Sequence, residues 1–261
     1  MRILLPPSER KIEPPASPPL NLSELLLPEL TGVREQLLTA LASASRRPDA
    51  AETLKVPAGR SEELVANTRL RVAHTAPAGA LFSGVLYDAF DQATLTADAR
   101  RRARKRVLIF SALFGVLRPT DRIPPYRLAV GTQLPSVGGL AAVWRRALTP
   151  ALADRADDLL IDCRSSSYIA MWRPPGAVPV RVFREEAGQR TVVTHMAKQA
   201  RGMVARALVQ VPRAPRTAAQ AADYLSEWLA HHPVTTAAGV PQPTHVELGE
   251  AGSLDVITRQ P

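Results

Sequence analysis

Arg2-Ile3-Leu4-Leu5-Pro6-Pro7-Ser8-Glu9-Arg10-Lys11 opens the chain, and its reading decides the architecture. Ile3, Leu4 and Leu5 form a short apolar run with no polar alternation, the pattern of a buried strand. Two prolines end it. Ser8, Glu9 and Lys11 are left in a stiff loop just past its carboxyl end, where α/β sheets place their ligands.

Working outward, Pro14 to Pro19 must be extended. Leu30, Val33, Leu37, Leu38 and Leu41 recur at helical spacing, with Pro48 after the stop. Arg60–Arg69 reads as a second helix. Phe82–Tyr87 fits a strand or a tight helix–turn. Thr96 is a good N-cap, followed by Asp98 in the first turn. Ala99, Ala103 and Val107 mark the inner face of that helix, and Val107–Phe110 continues as an apolar run. Leu159–Cys163 reads as a buried strand. Val178–Phe183 and Thr191–Thr194 form a hairpin around Gly188. Helices follow from about His195 to Gln210 and Thr217 to Leu229, with a last strand at His245–Leu248. The irregular alternation predicts an α/β (mixed α+β) fold. It would be a single compact domain over residues 1–232 with a mixed sheet flanked by helices. Residues 233–261 would be a tail packing on or extending it.

Composition narrows the function. The chain has 261 residues, 46% hydrophobic and 22% charged, which is globular. One cysteine, Cys163, excludes an internal disulfide and a four-cysteine metal or iron–sulfur site, and fits a reducing cytoplasm. The opening apolar stretch is shorter than a signal-peptide core. Val107–Leu117 falls well below the ~20 residues that span a bilayer. A soluble cytoplasmic protein with no membrane partner is expected. The net charge of +9 points to polyanions. Nearly all of it is arginine, with lysine only at Lys11, Lys55, Lys105 and Lys198.

Five constellations carry chemistry. Ser8, Glu9 and Lys11 suit phosphate binding or activation of water. Ser8-x-x-Lys11 has the spacing of Ser/Lys acylases without their partner motifs. A solvated loop is the plainer account. The run Arg100–Arg106, with Arg101, Arg104 and Lys105, reads as a phosphate patch or a solvated helix face. Phe110–Pro119 followed by Tyr126 and Arg127 offers turn N–H groups for a phosphate, with Arg118 and Arg127 adding bidentate contacts. Tyr126 offers a stacking face. Alternatively, Arg118 pairs with Asp121. Arg164, Ser165 and Tyr168 follow a strand end and suit a phosphate or an N-cap. Lys198, Arg201 and Arg206 share one helical arc that also holds Gly202, which admits a phosphate or serves packing. The five histidines make no metal-binding spacing, and no dinucleotide or Walker loop occurs, so no metal or cofactor is expected.

Several of these pieces, in this order, resemble the YaaA family of bacterial peroxide-stress proteins. They are Pro6-Pro7-Ser8-Glu9-x-Lys11, Phe82-x-Gly84-Val85-Leu86-Tyr87-Asp88 and Leu113-Phe114-Gly115-Val116-Leu117-Arg118-Pro119-x-Asp121. Pro125-Tyr126-Arg127-Leu128-x-x-Gly131, Ser165-x-x-Tyr168 and Lys198-x-Ala200-Arg201-Gly202 complete the set. The resemblance covers about residues 1 to 230. It implies a cytoplasmic α/β protein that binds DNA through a basic cleft and a helix-hairpin-helix element. It also implies a role in limiting DNA damage and iron-driven oxidation under hydrogen peroxide. The nearest hairpin stretch here is Ser111–Leu117. The chain departs from the family pattern at Ala112, where glycine is frequent, and at Ala129, Ser166 and Ser167, where acids are frequent.

Two readings follow. In one, DNA is held by its phosphates on Arg118, Arg127, Arg164, Ser165, Tyr168, Lys198, Arg201, Arg206, Arg101, Arg104 and Lys105. In the other, an enzyme acts on a nucleotide or nucleobase, with N-glycosidic cleavage as the example and Ser8, Glu9, Lys11, Tyr126 and Lys198 as catalytic candidates. Convergence of the polar groups in one pocket favours the second. An open basic groove favours the first. Oligomeric state is not readable from the sequence.

Overall fold

β1 (Arg2–Leu5) lies inside the main sheet, and Ile3, Leu4 and Leu5 have no exposed surface in the computed structural model. That structure describes residues 1–193, 197–232, 242–250 and 252–259. After β1 come α1 (Thr31–Ala44), α2 (Glu62–Asn67), α3 (Val85–Phe90) and α4 (Ala97–Arg106). The antiparallel strands β2 (Val107–Ser111) and β3 (Gly115–Leu117), helix α5 (Leu140–Ala151) and β4 (Leu160–Asp162) follow. The hairpin β5 (Val178–Glu186) and β6 (Gln189–Val192) leads to α6 (Ala197–Gln210) and α7 (Ala218–His231). Strands β7 (Gln242–Leu248) and β8 (Leu254–Arg259) finish the described chain.

The eight strands form one mixed sheet in the order β7-β8-β5-β4-β1-β2-β3, with β6 on β5. β1 runs parallel to β2 on one side and to β4 on the other. The chain goes out to β2 and β3, then returns across β1 to β4. The connections therefore reverse about β1, and a crevice for ligands opens at the carboxyl ends of strands around such a reversal. The fold is mixed α/β and a single domain. No described helix is long and apolar enough to cross a membrane.

Local chemistry explains the elements. Thr96 caps α4 by accepting from the Ala99 N–H at 3.2 Å, and Ala99 and Ala103 are buried as the stripe predicts. Phe82–Tyr87 resolves into a turn at Gly84, φ 100°, that starts α3. Helix α5 lies outside the sequence expectations. Its signal was the Leu140, Trp144 and Leu148 stripe, all fully buried, masked by Gly138-Gly139 before it and Pro150 within it. The tail holds two strands where one was expected, and β8 pairs parallel to β5. Thr194, His195 and Met196, taken as a strand end and a helix start, lie outside the described residues.

Ser111–Leu117 is a β-hairpin, not a helix-hairpin-helix turn. Ile109 pairs with Leu117 and Ser111 with Gly115, and the segment is buried throughout. Its near-continuous apolar sequence belongs to the core, so it offers no surface N–H groups to a phosphate. Gly115 has φ 78°, and a Cβ there would stand 2.5 Å from the Trp144 ring.

Gly202 also serves packing and does not open a way for a phosphate. A Cβ on it would fall 2.1 Å from the Leu86 carbonyl oxygen and 2.9 Å from the Ala89 Cβ, so α6 and α3 touch backbone to backbone. Gly202→Ala is expected to cost about 3 kcal/mol by overpacking. Chemical denaturation would show it as a lowered midpoint with an unchanged slope.

Candidate functional site

The loops that leave β1, β2 and β4 meet at the carboxyl edge of these parallel strands. The loop after β1 is pinned there by backbone pairs: Ile12 N–H donates to the Leu81 carbonyl at 2.9 Å and Ser83 N–H to that of Arg10 at 3.1 Å. The pinning turns Lys11 inward. Its Nζ donates to the Ser8 carbonyl at 3.1 Å and the Glu9 carbonyl at 3.3 Å. It stands 4.4 Å from the Tyr126 ring centre and 5.5 Å from that of Phe82. Burial lowers the amine's pKa to about 7, and Arg127 pushes the same way against Glu63 and Glu9. At neutral pH a substantial fraction of Lys11 is therefore an unprotonated amine.

Arg127 is the second element. Its side chain is 9% exposed. Nη1 donates to Glu9 Oε2 at 3.1 Å and Nη2 to the Lys55 carbonyl at 3.3 Å. Nε lies 3.8 Å from Glu63 Oε2, and both of these buried atoms lack a hydrogen-bond partner. Buried Asn67 grips the Arg127 backbone from both sides: Oδ1 accepts from its N–H at 2.9 Å and Nδ2 donates to its carbonyl at 3.0 Å. The main chain behind the guanidinium is thus fixed, with Nη1 on an exposed carboxylate and Nε turned to buried Glu63 Oε2.

Three tyrosines complete the site. Tyr126 shares a 2.7 Å hydrogen bond with buried Ser111 Oγ, and the Tyr87 hydroxyl donates to the Pro6 carbonyl at 2.8 Å. Burial raises the pKa of all three, Tyr87, Tyr126 and Tyr168. Tyr126 raises Tyr87 and Tyr168 further, and the charges of Glu9 and Arg127 reach Tyr168. Their phenols stay neutral, so the rings surround Lys11 and Arg127 without adding charge.

The structure brings Glu9, Lys11, Tyr126, Arg127 and Tyr168 together. Ser8 stays at the rim, its Oγ accepting from the Arg10 N–H at 3.2 Å. The other candidates have other occupations. Arg118 pairs with Asp121 at 2.7 Å and bonds the Glu24 carbonyl. Arg164 is fully buried, bidentate to Asp162, and stacked 4.2 Å over Phe110, so it is no phosphate receptor. Ser165 precedes the short helix Ser166–Ile169 without a side-chain cap bond. Arg201 bonds the Val180 carbonyl, and Arg206 caps α3 through the Phe90 and Asp91 carbonyls. Lys198 is exposed on the first turn of α6.

The arginine run lies at the other end of the sheet. Arg106 leads directly into β2, and Arg2, which begins β1, bonds the Lys105 carbonyl. Arg102 and Arg106 cap the carboxyl end of α6 through the carbonyls of Leu208, Val209, Gln210, Val211 and Pro212. Arg101 pairs with Asp98, while Arg104 and Lys105 are exposed. One continuous basic surface from this run to Arg127 is therefore not what the fold builds.

Sequence reasoning missed Glu63, Asn67, Tyr87 and Ser111 as members. Glu63 and Asn67 lie within the stretch Arg60–Arg69, which reads only as a helix. Only tertiary packing places them at Arg127, and no local pattern signals it. Burial pushes the Cys163 thiol up to about 12, which keeps it unreactive. No described group of three acidic, histidine or cysteine side chains is arranged to hold a metal. A cavity of about 490 Å³ lies between α1 and residues 67–72. Arg46, Arg69 and Arg71 line it without a lysine, acid or tyrosine, whereas Lys11, Arg127, two carboxylates and the tyrosines meet at the sheet edge, and the candidate site is placed there.

Fold and site together define a mixed α/β protein with a cluster of lysine, arginine and tyrosine side chains at the reversal point of its sheet. The chain belongs to the family described as peroxide stress protein YaaA, whose model matches residues 1–222. It is 40% identical over 233 residues to a UPF0246 protein of Streptomyces coelicolor, covering 87% of this chain and 90% of the relative. It is 46% identical over 228 residues to a UPF0246 protein of Corynebacterium efficiens, covering 85% and 91%.

Proposed function

We propose that this chain is a cytoplasmic protein of the peroxide-stress response that receives a nucleotide unit, free or within DNA, in the Lys11–Arg127 site. One observation carries the reading: a nine-tenths-buried arginine, its Nη1 covered by an exposed carboxylate, stands beside a near-neutral lysine and three tyrosine rings. Arg127 anchors the phosphate by charge-assisted bonds, and Tyr126 and Tyr168 flank the base or sugar. Phosphate binding is expected to weaken steeply with salt. Arg127→Met is expected to lower affinity for single-stranded DNA or a nucleoside monophosphate at least 100-fold, measured by fluorescence anisotropy or calorimetry. Charge reversal at Arg104 and Lys105, on the far edge, is expected to leave it unchanged. The opposite pattern would move the binding surface to the arginine run.

The pKa of Lys11 favours a catalytic form of this reading. An amine half-unprotonated near pH 7 is matched to general-base work. In N-glycosidic cleavage, water adds to the anomeric carbon, its proton passes to Lys11, and the base departs with the C–N electron pair. Turnover would then rise as pH climbs through about 7. If Lys11 served only as a cation for phosphate, affinity would fall over the same interval. A panel of nucleosides, nucleotides and oligonucleotides, native and peroxide-oxidised, that yields no free base would remove the catalytic form.

A further inference from the structure

Arg127 faces two carboxylates that differ in standing. Glu63 belongs to α2, and its side chain is 19% exposed. Glu9 stands on the loop after β1 with a side chain 76% exposed, yet its Oε2 is 3.1 Å from Arg127 Nη1. The loop does not depend on that contact. It is held through backbone groups, including the Glu9 carbonyl that accepts from Lys11 Nζ at 3.3 Å. An exposed carboxylate loses little when it returns to water. Arg127 stays behind, its side chain 9% exposed, its Nη2 on the Lys55 carbonyl and its backbone held by Asn67.

We propose that the Glu9 carboxylate occupies, in the free protein, the place that a ligand's phosphate takes on Arg127, and that it swings out when the phosphate arrives. This rests on the reading that the site receives a nucleotide unit. Glu9 makes one bond to Nη1, while Nε has no acceptor. Nε faces Glu63 on the other side of the guanidinium, so the exchange is at Nη1, where a phosphate's greater charge outcompetes the carboxylate. Glu63 stays as the inner counter-charge. Glu9 is then a built-in competitor that holds the site against weaker, singly charged anions.

The test is calorimetric titration of the full chain with a nucleoside monophosphate and, separately, a short single-stranded oligonucleotide. Glu9→Gln keeps the shape and removes the charge. It is expected to tighten phosphate binding about tenfold, and Arg127→Met is expected to abolish binding in both backgrounds. Tightening for the mononucleotide alone assigns the phosphate to a free nucleotide. Tightening for the oligonucleotide alone assigns it to the nucleic-acid backbone. Wild-type binding that Arg127→Met abolishes but Glu9→Gln leaves equal or weaker overturns the role of Glu9 and keeps the site. Absence of binding to both wild type and Glu9→Gln overturns the site reading itself.

Discussion

Arg164→Met is expected to destabilise the protein by roughly 3–5 kcal/mol, the cost of leaving one partner of a buried ion pair alone. Asp162 is 4% exposed, and the guanidinium satisfies both its oxygens at 2.9 and 2.7 Å. The same side chain bonds the Trp172 carbonyl at 2.9 Å and lies 4.2 Å from the Phe110 ring centre and 6.0 Å from that of Trp172. Arg164→Lys is expected to recover little, since an ammonium reproduces neither the fork nor the stacking. Urea denaturation of both variants measures the loss. A drop below 1 kcal/mol in the methionine variant would mean that Asp162 finds another partner. Because Arg164 ties down the segment carrying Tyr168, a folded variant should also bind its ligand more weakly.

Lys11→Met is expected to move stability and activity in opposite directions. The folded protein holds this amine at about pH 7, against 10.5 for an ordinary lysine. Below pH 7 the group is charged in both states, and the folded state carries the full cost of burying the charge. Between 7 and 10.5 the folded amine is neutral while the unfolded one still binds a proton, so the cost shrinks as pH rises. Removing the amine should therefore stabilise the protein by about 5 kcal/mol at pH 6, with the gain gone near pH 10.5. Turnover, where the chemistry uses this amine, should fall by about a thousandfold. Thermal unfolding at several pH values checks the first part. A variant less stable than wild type at pH 6 would show that Lys11 contributes as an ordinary packed side chain.

The contrast between Lys11 and the arginine run shows what was readable in advance. Ile3-Leu4-Leu5, the Thr96 cap and the turn at Gly188 each declare themselves through a few neighbouring residues, and they form the expected strand, helix and hairpin. A loop at a strand's carboxyl end likewise declares where Lys11 and Glu9 stand. The partner of an arginine does not declare itself. Arg102, Arg106 and Arg206 read as available charge, yet each is bound to helix-end carbonyls about a hundred residues away. Glu63 and Asn67 were invisible for the same reason: their roles exist only once α2 packs beside Arg127.

The closing pair of strands has a practical meaning for anyone handling this protein. The family match stops at residue 222, but β8 lies parallel along β5, with Leu254, Val256 and Ile257 sealed from solvent. A fragment trimmed to the matched segment would bare a long ribbon of unsatisfied amides along β5, an invitation to self-association. The sensible unit for expression reaches residue 259.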